Sequence, residues 1–390
     1  MSAEGLSAVA GEGLAAAGAP RAFMTGAQAI VQGALDAGCD FFAGYPITPA
    51  TPILLGMVRA LPARGGVAIQ AEDEIAAIGF CIGAAMTGRR VMTATSGPGI
   101  SLYSENLGLA IMAEVPLVVV DAQRLGPATG GATTVAQGDL YFVRWGTSGG
   151  YPIVALAPST AEECYHLTVR AFDLAERLRS PVFLLTDKEV VMTADTVDVT
   201  RLVAPPVTSR RTASAGEAFR SYGFSRPEEV PAFSPFGGPH PVRVNTSTHD
   251  ELGYLTKDPV KVDRLNRHLA AKIEAAADEI EAVRLDLQPQ ASTLVVSYGV
   301  SARSAAEAVE QARREGRRVS LAVLHSVWPL PARALGRALE GVRRVVVAEL
   351  NLGQLRLEVE RLAAGREVRG VHRVDGELIT PQEILEALAS

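Results

Sequence analysis

The sequence has little cysteine, few aromatic residues, no excess of basic charge and no long apolar run. Its three cysteines, Cys39, Cys81 and Cys164, are scattered, without the CxxC spacings that iron–sulfur clusters or structural zinc use. The chain by itself therefore carries no cluster, and an odd, dispersed set of thiols argues against a disulfide framework and for a reducing cytoplasm. The six histidines show no metal-ligand spacing. A net charge of -6 leaves no global positive field to hold nucleic acid or an acidic membrane. The apolar stretch at 109–120 is interrupted by Glu114 and Pro116, so nothing approaches the ~20 residues that cross a bilayer.

What is present is a chain of 390 residues, 48% hydrophobic and 21% charged, long enough for two domains or more. Residues 1–20, rich in Ala and Gly, read as a mobile tail and not as a targeting segment. From Met24 to Val191 short apolar runs alternate with amphipathic stretches, the pattern of strand–helix repeats around a parallel sheet. Expected strands are Phe41–Ala43, Val67–Gln70, Val91–Thr95, Leu117–Asp121, Ile153–Leu156 and Val182–Thr186, with helices at 26–37, 52–60, 74–87, 101–113 and 160–177. The rhythm breaks at 201–256, where prolines and aromatics predict an extended connector lying against a surface. A smaller α/β unit then opens with a charged helix at Val260–Arg284, followed by strands Leu294–Ser297, Val319–Val323 and Val345–Ala348 and helices at 302–314 and 332–340, and closes with a helix behind Pro381.

Ligands of open parallel sheets bind at the carboxyl ends of the strands, and four segments of chemical interest follow predicted strands. In Tyr45-Pro46-Ile47-Thr48-Pro49, two prolines stiffen the backbone around a hydroxyl, though Thr48 can equally cap the next helix. Glu72, Asp73 and Glu74 sit where the helix dipole favours negative charge. Glu74 is followed by the uncharged run IAAIGFCIGAAM, which predicts a buried helix and a carboxyl able to share a proton with a ligand nitrogen. Ser96-Gly97-Pro98-Gly99 offers backbone N–H groups at a helix start, or simply a tight turn, and lacks the Walker and Rossmann spacings. Arg124, between a strand and Gly126-Pro127, can fork onto a carboxylate or form a surface ion pair.

Together these segments resemble the alpha subunits of the 2-oxoacid:ferredoxin oxidoreductases, particularly the 2-oxoglutarate type. The resemblance is carried by GALDAGCDFFAGYPITPAT, QAEDEIAAIGFCIGAAMTGRRVMTATSGPGISL, EVPLVVVDAQRLGPATG and QGDL, then by THDELGY and AELNLGQL. It implies an α/β fold: a parallel-sheet thiamine-diphosphate pyrimidine-binding domain at 21–200, the connector at 201–256, and a smaller transketolase C-terminal-like domain at 257–390. It further implies that Glu74, with Glu72 as fallback, contacts the aminopyrimidine beside Tyr45, Pro46 and Ile47. Thr48 and Arg124, with Ser96 and Gly97, then line the place of the 2-oxoacid and CoA.

The same resemblance implies a beta subunit holding Mg2+, the diphosphate and a [4Fe-4S] cluster, an α2β2 assembly and ferredoxin as electron acceptor. Three segments depart from the family pattern: Gly26-Ala27, Ser148-Gly149-Gly150 and Asn245–His249. They leave pyruvate, aryl and branched 2-oxoacids open beside 2-oxoglutarate. A scaffold subunit that merely completes a partner's pocket is the other reading. A dinucleotide- or flavin-binding reductase is disfavoured by the missing glycine fingerprint.

Overall fold

The computed structural model describes residues 20–389, so the tail expected at 1–20 lies outside the described residues except for Pro20. After β1 (Arg21–Thr25) and α1 (Gly26–Asp36) come β2 (Phe41–Gly44), α2 (Thr51–Ala60), β3 (Val67–Gln70) and α3 (Glu74–Met86). Next are β4 (Val91–Thr95), α4 (Gly97–Leu102), α5 (Ser104–Met112), β5 (Leu117–Gln123) and α6 (Leu140–Trp145). β6 (Val154–Leu156), α7 (Ala161–Leu178), β7 (Pro181–Asp187), α8 (Lys188–Met192) and β8 (Ala194–Asp198) finish the first half.

Strands β6-β7-β5-β4-β2-β3 form one parallel sheet in that order. Every residue of β4, β5 and β7 is buried, as expected of strands covered by helices on both faces. The strands begin and end close to where the apolar runs do, because burial on both faces demands an unbroken apolar run. On one face α1 crosses α7 closely, since a Cβ on Gly33 would stand 2.7 Å from the Tyr165 carbonyl oxygen. α1 starts on a capping box between Thr25 and Gln28, and α7 on the Thr160 hydroxyl.

The second half contains α9 (Pro259–Glu274), α10 (Ala277–Ile280), β9 (Val283–Asp286), β10 (Thr293–Ser297), α11 (Ser301–Arg314) and β11 (Val319–Leu324). It continues with β12 (Ser326–Trp328), α12 (Ala332–Ala338), β13 (Arg344–Glu349), α13 (Gln354–Ala363), β14 (Glu367–His372) and α14 (Pro381–Ala389). Its sheet runs β14-β13-β10-β11-β9, with β9 antiparallel. β12 leaves this sheet and pairs antiparallel with β6, so the two halves share a sheet edge.

Two expected helices are corrected. The segment at 101–113 is two helices, with the break at Tyr103, whose buried hydroxyl lies 2.7 Å from Thr93 Oγ1. The charged helix stops at Glu274, because Val283-Arg284-Leu285-Asp286 alternates with period two and pairs with β11. Between β8 and α9 no α-helix or β-strand forms. This stretch lies against the first half: Arg179 donates to the carbonyls of Ser221, Pro231 and Ala232, Arg210 pairs with buried Glu176, and Tyr222 and Phe233 are buried.

Candidate active site

Because β5, β4, β2 and β3 are parallel neighbours, their carboxyl ends share one edge. Tyr45–Thr48, Ala71–Glu74, Ser96–Gly97 and Arg124 follow these four strands and meet there.

The acidic trio separates by role. Asp73 is the N-cap of α3, its carboxylate accepting from the Ala76 N–H at 2.7 Å. Glu72 and Asp73 are exposed, whereas Glu74, the first residue of the helix, is only 7% exposed. Its carboxyl lies over Gly99: a Cβ there would stand 3.0 Å from Glu74 Oε1 and 2.1 Å from Thr95 Oγ1. The hydroxyls of Thr95 and Ser96 are buried beside it without hydrogen-bond partners. The expectation that α3 is a buried helix is corrected: Ile75 and Phe80 are about half exposed, and Gly79 and Gly83 face open space. The charge-free sequence reflects an apolar face that the chain does not cover.

Arg124 is buried, not a surface ion pair. Its stem rests on Gly97, Nη1 donates to the Thr48 carbonyl oxygen at 2.7 Å, and Nη2 donates to the Thr129 carbonyl oxygen at 3.0 Å. Nε has no acceptor. One guanidinium thus ties the end of β5 to the loop after β2. Thr48 does not cap α2, which starts at Thr51 with Ala50 as its N-cap; Thr48 is exposed, ahead of a cis bond to Pro49. Tyr45 and Ile47 are half-buried and Pro46 is exposed.

The model "Pyruvate flavodoxin/ferredoxin oxidoreductase, thiamine diP-bdg" matches residues 32–267, and "Pyruvate:ferredoxin oxidoreductase core domain II" matches residues 291–384. The chain belongs to the 2-oxoacid:ferredoxin oxidoreductase family. It is 42% identical over 375 residues to the 2-oxoglutarate synthase subunit KorA of Methanothermobacter thermautotrophicus, covering 94% of this chain and 97% of that one. The ketoisovalerate oxidoreductase subunit VorB of the same organism is 36% identical over 367 residues, with 93% and 96% covered. Among solved structures, the 2-oxoglutarate:ferredoxin oxidoreductase from Magnetococcus marinus, with 2-oxoglutarate, coenzyme A and succinyl-CoA bound, superposes with a TM-score of 0.89 at 29% identity. That match covers 95% of this chain and 65% of the solved chain, so the chain spans less than two thirds of it. A split-gene transketolase at 13% identity and a TM-score of 0.53 shares the fold alone.

The residues of this oxidoreductase subunit fit the pyrimidine end of thiamine diphosphate. Gly99 presents bare backbone where a side chain would fill the space, with the Glu74 carboxyl on its rim. Among the described residues, no group of three or more His, Cys, Asp or Glu side chains could hold a metal ion.

Two acids in segments singled out from the sequence, Asp121 beside Arg124 and Asp139 of QGDL, were given no role there. Asp121, the register partner of Thr95, is fully buried with neither carboxyl oxygen bonded. Burial, and then nearby Asp139, push it well above the usual carboxylate range. Burial pushes Asp139 up to about 6, against the lowering influence of Arg124. The signal for Asp121 was a charge at the end of the otherwise apolar run LVVV. In the segment Ser148–Gly150, Gly150 packs on Trp145, and its carbonyl accepts from Arg144 at 3.1 Å.

Proposed function

We propose that this chain is the alpha subunit of a 2-oxoacid:ferredoxin oxidoreductase that converts 2-oxoglutarate and CoA to succinyl-CoA, CO2 and reduced ferredoxin. The single observation that carries the reading is the buried Glu74 carboxyl on the bare Gly99 backbone, at the edge where Arg124 and Thr48 also meet. The higher identity to a 2-oxoglutarate synthase subunit than to a ketoisovalerate enzyme favours 2-oxoglutarate over branched substrates.

When bound, thiamine diphosphate supplies the carbon nucleophile that adds to the keto carbon of the 2-oxoacid. Glu74, 7% exposed, would place its carboxyl to hydrogen-bond the pyrimidine when the cofactor is bound, in a position where water has little access. Arg124 would meet the substrate carboxylate through its guanidinium, which the carbonyls of Thr48 and Thr129 hold in place. Thr48 adds a hydroxyl from the rim, next to Tyr45, Pro46 and Ile47. Ser96 and Gly97 form the floor between Glu74 and Arg124.

A beta partner supplies Mg2+, the diphosphate site and a [4Fe-4S] cluster, and the pair assembles as α2β2 with ferredoxin as acceptor. The open apolar face of α3, with Ile75, Phe80, Gly79 and Gly83, supports burial against such a partner beside the site. Three unpaired buried thiols and the absence, among the described residues, of a helix long and apolar enough to cross a membrane suit work in the cytoplasm.

The test is Glu74→Gln in the complex reconstituted with the copurified partner, whose iron is counted. Reduction of a viologen dye, dependent on 2-oxoglutarate and CoA, should fall by about 100-fold or more while assembly is unchanged. An unchanged rate would leave the chain as a scaffold. A panel of 2-oxoacids assigns the substrate.

A further inference from the structure

Two buried acids have no cation bonded to either: Asp121, three residues before Arg124 in the chain, and Asp139, within the electrostatic reach of Arg124. Asp121 lies within β5, two residues before its end, with both carboxyl oxygens buried and unpartnered. Asp139 precedes α6, donates its backbone N–H to Gln123 Oε1 at 3.1 Å, and has Oδ2 buried without a partner. Arg124 bonds the carbonyls of Thr48 and Thr129 instead. Two ionised carboxylates in this enclosure would repel each other and lack the solvation that charge requires.

We propose that Asp121 and Asp139 act as one buried acid pair behind Arg124, holding a shared proton, and that the charge on the pair tunes how firmly Arg124 grips the carboxylate of its substrate. This rests on the reading of Arg124 under Proposed function. The other titratable groups around the pair do not take over its role. On the sheet face that Asp121 shares with Val119, α3 presents Glu74 and Cys81, and α5 presents Glu105, which is exposed. The Tyr103 hydroxyl is engaged by Thr93. Asp187 on β7 accepts from Val190, Val300 and Gln137, and the Tyr298 hydroxyl, near Asp139, donates to the Gln137 carbonyl. Loss of the first proton leaves a negative charge close to Arg124, which weakens the pull of the guanidinium on a second anion. Asp121 and Asp139 are positioning residues and touch no reacting atom.

In the reconstituted complex, KM for 2-oxoglutarate should rise about threefold to tenfold as pH climbs through about 6, without a matching change in kcat. Asp139→Asn should flatten that KM profile. A flat profile in the unaltered complex, or a rise that survives Asp139→Asn, overturns the proposal. Unfolding of the full chain gives a second readout. A carboxyl raised in the folded state stabilises the fold at low pH, and that contribution is lost as pH rises. Asp121→Asn should therefore gain thermal stability over the unaltered chain by more at about pH 8 than at about pH 5. Equal shifts at both pH values overturn the shared proton. A complex that turns over no 2-oxoacid would defeat the proposed function, while the unfolding comparison would still decide whether the acid pair exists.

Discussion

Gly99 shows how narrow the site is. A methyl group there would overlap Thr95 Oγ1 at 2.1 Å and press on the Glu74 side chain, so Gly99→Ala must displace one of the two. The expected outcome is a loss of about 1–3 kcal/mol in stability, together with a loss of turnover larger than unfolding explains. Thermal melts and the dye assay on the same preparation check it. Glu74 was legible as a candidate because an acid begins an apolar helix after a strand. Its difference from Glu72 was not, since three adjacent acids look alike until the backbone turns one into a cap and another inward. Asp121 was given no role of its own for a similar reason: an acid near the end of a strand is ordinary unless it is known to lack solvent and partners.

α3 owes its start to Asp73, whose extended backbone and cap bond hold Glu74 in the first helical turn. Asp73→Ala should cost about 1 kcal/mol, visible as a lower melting temperature. Because the cap also positions Glu74, turnover in the reconstituted complex should drop, but by less than in Glu74→Gln. The parallel strands were readable to within a few residues, because strands covered on both faces need continuous apolar runs. Short edge pieces such as β1, β8, β12 and β14 were not. β1, β8 and β14 consist mostly of polar or half-buried residues, and buried β12 is only three residues long, so pairing partners distant in sequence decide that they are strands.

The two halves are joined by buried polar groups. Gln137 donates to Asp187 and the Tyr298 carbonyl, accepts from Ser301 and the Leu350 N–H, and through its own carbonyl accepts from Asn351. This explains why QGDL and AELNLGQL occur in one chain: they form one joint. A second joint centres on Glu114, bonded to Lys272 at 2.8 Å and His268 at 3.0 Å. Burial disfavours the charge on Glu114, yet Lys272, the His268 hydrogen bond and Arg179 outweigh it and hold the carboxyl well below the usual range. A depressed folded-state pKa contributes stability above the unfolded carboxylate range and loses it as pH falls. Lys272→Met strands the carboxylate and should cost about 3–5 kcal/mol in denaturant unfolding at neutral pH. That cost should shrink on acidification.

Apolar periodicity, proline and glycine placement and the local order of charged residues are properties of neighbours along the chain, and from them the parallel α/β fold and the four strand-end segments could be read directly. Which strands lie side by side, which acid of three turns inward, that the charge-free helix keeps a bare face, and that Asp121 and Asp139 carry buried, unpartnered oxygens depend on contacts between distant segments. Coulomb repulsion, lost solvation and close packing act through space, so these features exist only once β4 and β5 are paired and α3 is laid across them.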